Sequence, residues 1–263
     1  MNGAEIIQKT EEEIWKLIST PTQICEGVIH YSPIAGFEYL NEASKFVIQG
    51  DFNPVELDRH VVAAKPRRIR VSPPWGYRFV GSKIAEGLKN ILYNPTGDSC
   101  LYLYAGNHCE EQQPPSPYQI RELDLMNAAD RDTVLNLRSE KIAKQPEPEV
   151  QIALRNWTLA RLQMRGYQAI LLSEAATPIG YVCWFNAEGL TRLRDLFIKE
   201  DYQQRRLSKY LLTRVMAMQK APFGVITSTF NKARYTYNAR GFAPVFAEEA
   251  YELRWHESSS NTR

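Results

Sequence analysis

The residues best placed to do chemistry are Gln203-Gln204-Arg205-Arg206-Leu207-Ser208-Lys209. They form a basic turn between the apolar run Leu196-Phe197-Ile198 and a helical pattern from Leu207 to Lys220. A strand that runs through a turn into a helix presents free backbone N–H groups at the helix start, and the helix dipole adds partial positive charge. Both favour an anion, and arginine can hold a phosphate with two bonds. The same residues also fit an ordinary solvated helix start. What separates the two readings is the set of elements around the turn.

Those elements read clearly in the second half of the chain. Tyr118–Asp124 alternates like a strand. Asn127–Lys144 is helical, with Asn127 or Asp130 as N-cap. After the break Lys144–Val150, the stretch Glu149–Gly166 has apolar residues at helical spacing and ends on Gly166, a natural C-cap. Tyr167–Asn186 holds two apolar runs about a Thr177-Pro178-Ile179-Gly180 turn, hence a hairpin. Leu190–Asp201 is another strand, followed by the basic turn and its helix. Then come a strand at Gly224–Phe230, a short helix at Asn231–Arg240 and a last pair of strands in Gly241–Trp255. The order is β-α-α-β-β-β-α-β-α-β-β.

This order, with these residues in the turn, resembles the GNAT superfamily of acyl-CoA-dependent N-acyltransferases. Asp195-Leu196-Phe197-Ile198 is similar to the D-L-Y-V end of that family's fourth strand. Four residues on, Gln203 falls on the Gln/Arg of Q/R-x-x-G-x-G/A, Arg206 on its first Gly and Ser208 on its final small residue. Lys209-Tyr210-Leu211-Leu212 matches the helix opening. The second signature is met by Asn231, Ala233, Tyr237 and the pair Gly241-Phe242. The resemblance covers about residues 118–255. It implies an α/β (α+β) fold with a mixed, mostly antiparallel sheet flanked by helices.

It also implies roles. The backbone N–H groups of Gln204, Arg205, Arg206, Leu207, Ser208 and Lys209 would cradle the pyrophosphate of coenzyme A, with Gln203 beside them. The pantetheine arm would add a pseudo-strand to the splayed end of the fourth strand, at the backbone of Phe197 and Ile198. Asn231 would contact the cofactor or a bound water, or would simply cap the following helix. Acyl transfer to an amine needs a proton acceptor, an oxyanion donor and an acid for the departing thiolate. The resemblance puts Tyr237 in the last role, where a packed core tyrosine is the other reading. Asp195 is the expected base through water, or else a structural carboxylate pairing with Arg192 or Arg194. Glu174 and Glu188 are weaker candidates for the base. A backbone N–H near Phe197 or Ile198 would serve the oxyanion. The departure is Arg206: a side chain there is expected to need a negative φ and an outward course. It would then either reach a cofactor phosphate or fill the site.

The activity implied is transfer of an acyl group, acetyl or longer, from acyl-CoA to a primary amine of a small molecule, amino acid or peptide, in a ternary complex and without a metal. The alternatives are a catalytically silent acyl-CoA-binding scaffold and an enzyme that takes its acyl group from an acyl-carrier protein.

Composition sets outer bounds. The chain has 263 residues, 44% apolar and 24% charged, with a net charge of +2. That balance argues against nucleic-acid binding driven by bulk charge. No apolar run approaches the roughly 18 residues of a membrane span. The four cysteines form no CxxC pair, and His30, His60, His108 and His256 are scattered. The expectation is a cytoplasmic protein with reduced thiols and no metal site. Lys65–Arg70 is a basic run that alternates into a strand, so a solvated edge is expected. Trp184 and Phe185 are expected to pack the sheet.

The Pro- and Gln-rich stretch Cys109–Asp124 reads as a linker. It divides the chain into 1–115, an α/β domain, 116–257, the GNAT-like domain, and a disordered tail, 258–263. In the first part, Arg67–Gly106 reads strand, loop, helix, strand, and Arg78-Phe79-Val80-Gly81 echoes R-x-x-G. It could be a degenerate second GNAT copy. It lacks the second signature, so a structural or acceptor-shaping role is expected of it.

Overall fold

The computed structural model describes residues 3–16, 20–24, 27–31, 42–46, 68–71, 93–107, 109–219 and 222–253. In chain order the elements are α1 (Gly3–Trp15), β1 (Thr20–Ile24), β2 (Gly27–Tyr31), β3 (Glu42–Phe46), β4 (Arg68–Val71), β5 (Tyr93–Ala105) and β6 (Tyr118–Leu123). They continue as α2 (Ala128–Ile142), α3 (Pro148–Leu162), β7 (Gln168–Glu174), β8 (Thr177–Ala187) and β9 (Leu190–Ile198). After one 3₁₀ turn (Glu200–Tyr202) come α4 (Ser208–Met218), β10 (Phe223–Ser228), α5 (Ala233–Asn238) and β11 (Ala243–Leu253). No helix among the described residues is long and apolar enough to cross a membrane.

The chain divides into two compact units. One comprises Met1–Ile18 and Cys100–Ala247, the other Ser19–Ser99 and Glu248–Arg263. The expected boundary near residue 115 is therefore displaced: α1 and Cys100–Ala105 belong with the C-terminal elements. The physical reason is pairing. Cys100–Ala105 is an antiparallel neighbour of β10, from Phe223↔Ala105 to Ser228↔Cys100.

The larger unit is built on a seven-stranded, mostly antiparallel sheet in the order β11-β5-β10-β9-β8-β7-β6. Ile179 to Phe185 of β8 are buried without a break, as expected of a strand with helices on both faces. On one face Leu211, Leu212, Val215 and Met216 of α4 pack on Leu172, Val182, Trp184 and Leu193. Each such buried leucine stabilises by about 2 kcal/mol. Trp184 and Phe185 do pack the sheet, at 1% and 2% exposure. Near the α1 contact, Gly224 of β10 leaves no room for a side chain: a Cβ there would lie 2.7 Å from Ile7 and from Leu190.

Local chemistry fixes several boundaries. Asn127 is the N-cap of α2, its side chain accepting from the Ala129 N–H at 2.9 Å. Asp130 instead accepts from the Asp124 N–H at 2.8 Å and pairs with Arg121. Helix α3 starts on Pro148, which loses nothing there because a first-turn N–H has no partner. It ends at Leu162, before Gly166, whose φ of +80° serves the next turn. The β7–β8 turn falls at Ala175-Ala176. Thr177–Gly180 lies in β8 itself, where a register shift accommodates Pro178. Ala243–Leu253 makes one long strand, where a pair was expected in Gly241–Trp255.

The smaller unit has the strand order β1-β2-β3-β4, with β4 antiparallel to Glu249–Glu252 of β11. Strand β4 starts at Arg68, within the basic run expected to form a solvated edge; it is paired on both sides, with β3 and with β11, so it is an interior strand. Arg78–Gly81, the helix expected after it and the tail 258–263 lie outside the described residues.

Candidate functional site

The site begins where two parallel strands part. Strand β9 pairs with β10 only at Phe223↔Thr191 and Gly224↔Arg192. Beyond Arg192, β9 keeps its other neighbour, β8, but with a bulge: Cys183 faces Arg194, while Tyr181 faces Phe197. The extra residue bends the strand, and Asp195 within the bulge stands at φ +50°. Among the described residues the second half of β9 therefore has no strand partner on the side of β10 and presents a free edge there.

At the end of β9 the chain turns through Glu200–Tyr202 and enters the basic loop. Gln203 is extended, Gln204 is at φ +67° and Arg206 at φ +58°. This corrects the expectation for Arg206: its φ is positive, in the left-handed region that glycine fills in the family pattern. A side chain there costs about 1–2 kcal/mol. The N–H groups of Gln204, Arg205, Arg206 and Leu207 meet no carbonyl among the described residues. Those of Lys209 and Tyr210 close tight turns to Arg206 and Leu207 at 3.4 and 3.1 Å.

Side chains hold the loop from outside. Arg205 donates to the Tyr118 hydroxyl at 3.2 Å and lies over the Tyr202 ring at 4.7 Å. Tyr202 in turn donates to Glu174 at 2.7 Å. Gln203 donates from Nε2 to the Ile198 carbonyl at 3.1 Å, closing the loop onto the strand end.

Strand end, loop and α5 surround a groove of about 760 Å³. Of the residues nominated from the sequence, Phe197, Ile198, Gln203, Gln204, Arg206, Leu207, Ser208 and Asn231 line it. Arg205 and Lys209 do not: the first is held at Tyr118, the second lies over the Tyr210 ring. Asn231 also caps α5, accepting from the Ala233 N–H at 2.9 Å. The opposite wall carries residues the sequence did not single out. Glu140 and Lys141 come from the end of α2, and Lys144 from the turn that follows it. Glu140 pairs with Lys199 at 2.9 Å, and Lys144 pairs with Glu200. In sequence these look like a solvated helix face, and only the tertiary contact reveals them.

The two catalytic candidates lie deeper. Tyr237 is 4% exposed, edge-on to Phe242, while Ala233 and Thr236 of the same helix line the groove. Burial pushes its phenol well above the ordinary range, so it stays protonated. Asp195 is also enclosed. Burial alone would raise its carboxyl. The guanidinium groups of Arg161, Arg138 and Arg194 and the Tyr167 hydroxyl outweigh burial and hold it far below the usual carboxylate range.

The partners of Asp195 differ from those expected. Arg161 stands 2.9 Å away and Arg138 3.7 Å away. Arg192 and Arg194 both turn to Glu11 of α1, at 2.9 and 2.8 Å. A carboxylate so firmly ionised is a poor proton acceptor, and its position suits holding the bulge. Glu174 is taken up by Tyr202, and Glu188 sits in the β8–β9 turn near Lys9.

Gap, bulge and N–H-bearing loop define the class of fold. The structure is similar to a GCN5-related N-acetyltransferase from Kribbella flavida, with a TM-score of 0.64 and 12% identity over 97% of this chain and 96% of that one. It is similar to another from Sphaerobacter thermophilus, with a TM-score of 0.60 and 11% identity over 88% and 81%. A third likeness is a tandem GNAT protein from the clavulanic acid biosynthesis pathway, with a TM-score of 0.55 and 12% identity over 88% and 80%. No protein-family model and no curated protein matches the sequence. The fold is that of the GCN5-related N-acetyltransferases.

Proposed function

We propose that the larger unit is an N-acyltransferase that takes an acyl group from acyl-CoA to a primary amine of a small molecule, amino acid or peptide. One observation carries this reading: β9 and β10 part at Arg192, next to a loop whose N–H groups are free. The free edge of Leu196–Ile198 can bond an extended amide chain as a strand would. Four N–H groups at a helix start suit a pyrophosphate, and the Arg206 side chain in the groove adds positive charge. The residues present therefore fit coenzyme A. The thioester would supply an activated acyl group.

The chain's own residues bind and orient. Gln204 to Ser208 hold the anionic end. A backbone N–H near Phe197 or Ile198 would serve the oxyanion. Tyr237, kept protonated by burial, is the proton donor to the departing sulfur. Asp195 sets the bend of β9 and takes no proton; the amine would enter neutral, and the proton it sheds on attack would pass to water. The test is native mass spectrometry with CoA and a ladder of acyl-CoAs, beside Arg206→Glu. Adducts that weaken in the variant support the reading, and no adduct at any length removes free CoA thioesters as donors.

A second reading, a silent acyl-CoA binder, is favoured by the seclusion of Tyr237 from the groove wall. The two part on turnover. Loss of acyl transfer in Tyr237→Phe with CoA binding intact marks an enzyme. Binding without turnover across acceptors and donors, carrier-protein thioesters included, marks a scaffold.

A further inference from the structure

Buried charge on the α2–α3 side of β9 does not balance. Among the described side chains, four guanidinium groups, Arg138, Arg161, Arg192 and Arg194, share two carboxylates, Asp195 and Glu11. Side-chain exposure is 20% or less for all six. Buried charges are ordinarily paired and hydrogen-bonded, because desolvation costs several kcal/mol per ion.

The shortfall is greatest at Arg138. Arg161 meets Asp195 at 2.9 Å and lies over the Trp157 ring. Arg192 and Arg194 each donate to Glu11. The Nε atoms of Arg138, Arg161 and Arg192 are all buried with no partner. What sets Arg138 apart is that it reaches its carboxylate, Asp195, only at 3.7 Å, beyond hydrogen-bond range. The Tyr181 hydroxyl, also buried without a partner, belongs to the same neighbourhood, and its ring packs on Phe197 at 5.7 Å.

Arg138 and Asp195 lie behind the groove wall and do not line it themselves. Their neighbours do: Glu140 and Lys141 follow Arg138 on α2, Lys144 follows in the next turn, and Leu196 and Phe197 follow Asp195. At 20% exposure Arg138 is the most open of the four arginines. A planar fork of donors with spare capacity matches a carboxylate.

We infer that Arg138 is a binding residue for a substrate carboxylate at the inner end of the groove. This rests on the acyltransferase reading and narrows it. The carboxylate belongs either to the acceptor, which is then an amino acid or peptide C-terminus, or to a dicarboxylic acyl group on the donor.

Calorimetric titration of the full chain separates these. Titration with CoA comes first: if CoA fails to bind, the acyltransferase reading falls, whatever Arg138 does. CoA-loaded protein is then titrated with glycine against glycinamide and phenylalanine against phenylalaninamide. Free protein is titrated with glutaryl-CoA against butyryl-CoA. One set should show the carboxylate-bearing member binding at least tenfold more tightly, and that set names the source. Arg138→Gln should abolish the preference while CoA binds as before, and Arg138→Lys should restore part of it. Circular dichroism of both variants reports whether they fold. Equal or absent binding within every pair overturns the inference. So does a preference that survives in folded Arg138→Gln. If Arg138→Gln does not fold, the wild-type pairs and Arg138→Lys decide alone, and a lysine variant as selective as wild type counts against the arginine fork.

Discussion

The bulge at Asp195 and the loop at Gln204–Arg206 both hold side-chain-bearing residues at positive φ beside one groove. They are supported in opposite ways. The bulge is enclosed, and the opposite charges of Arg161 and Arg138 fix it. The loop is exposed, and its hold comes from Arg205 at its centre, through Tyr118 and the Tyr202–Glu174 pair. Buried charge ties conformation to the fold as a whole. A clamp at the surface ties it to one local shape. Damage to the bulge should therefore appear as lost stability, and damage to the loop as lost ligand affinity.

The largest effect expected is at the bulge. Asp195→Ala leaves two guanidinium groups facing each other without a carboxylate, and urea unfolding should show a loss of about 3–5 kcal/mol. A loss below about 1 kcal/mol would mean the ion pairs do not hold the bulge. At the loop, Arg205→Ala should weaken CoA binding about tenfold, or about 1.4 kcal/mol, measured by calorimetry. Its unfolding midpoint should barely move. Equal losses of stability and affinity would erase the contrast between the two sites.

A smaller effect tests backbone strain directly. Arg206→Gly removes a side chain from φ +58° and should stabilise by about 1 kcal/mol, whereas Arg206→Val should destabilise by a similar amount. Thermal unfolding would distinguish these signs, and a glycine variant less stable than wild type would count against strain in the loop.

The smallest effect is on pH dependence. Asp195 is held below its unfolded value, so the native state binds fewer protons at this site. Its contribution is full above about pH 5 and fades as pH falls through about 3.9 toward the lower folded value. Asp195→Asn should flatten the acid limb of stability below about pH 4.5, as urea midpoints in a pH series would show. A limb as steep as wild type would assign it to other carboxylates.

Much of this was legible in the chain. Apolar spacing revealed α2, α3, α4 and strands β6 to β10, because helix and strand periods are local properties. The turn at Gln203–Ser208 and the pair Asn231 and Tyr237 were found by spacing and type. The β7–β8 turn was misplaced because Thr-Pro-Ile-Gly has turn composition, whereas the strand register put the turn at Ala175-Ala176. The conformation of Arg206 was misjudged because a side chain's cost in the left-handed region can be offset by contacts elsewhere in the loop, here those of Arg205 with Tyr118 and Tyr202. The far wall of the groove was not readable, since Glu140, Lys141 and Lys144 are ordinary helix-surface residues until α2 meets β9.

Between Tyr118 and Asn238 the sequence by itself determined most of which segments are helix or strand, where the N–H-bearing loop falls and which side chains flank it. Patterns within a few residues are enough for that. Tertiary structure decided that β9 and β10 part, that Asp195 meets Arg161 and Arg138, where its neighbours had been expected, and that Arg138 keeps donors to spare. Those facts depend on burial and on pairing across tens to nearly two hundred residues, where no local spacing carries a signal.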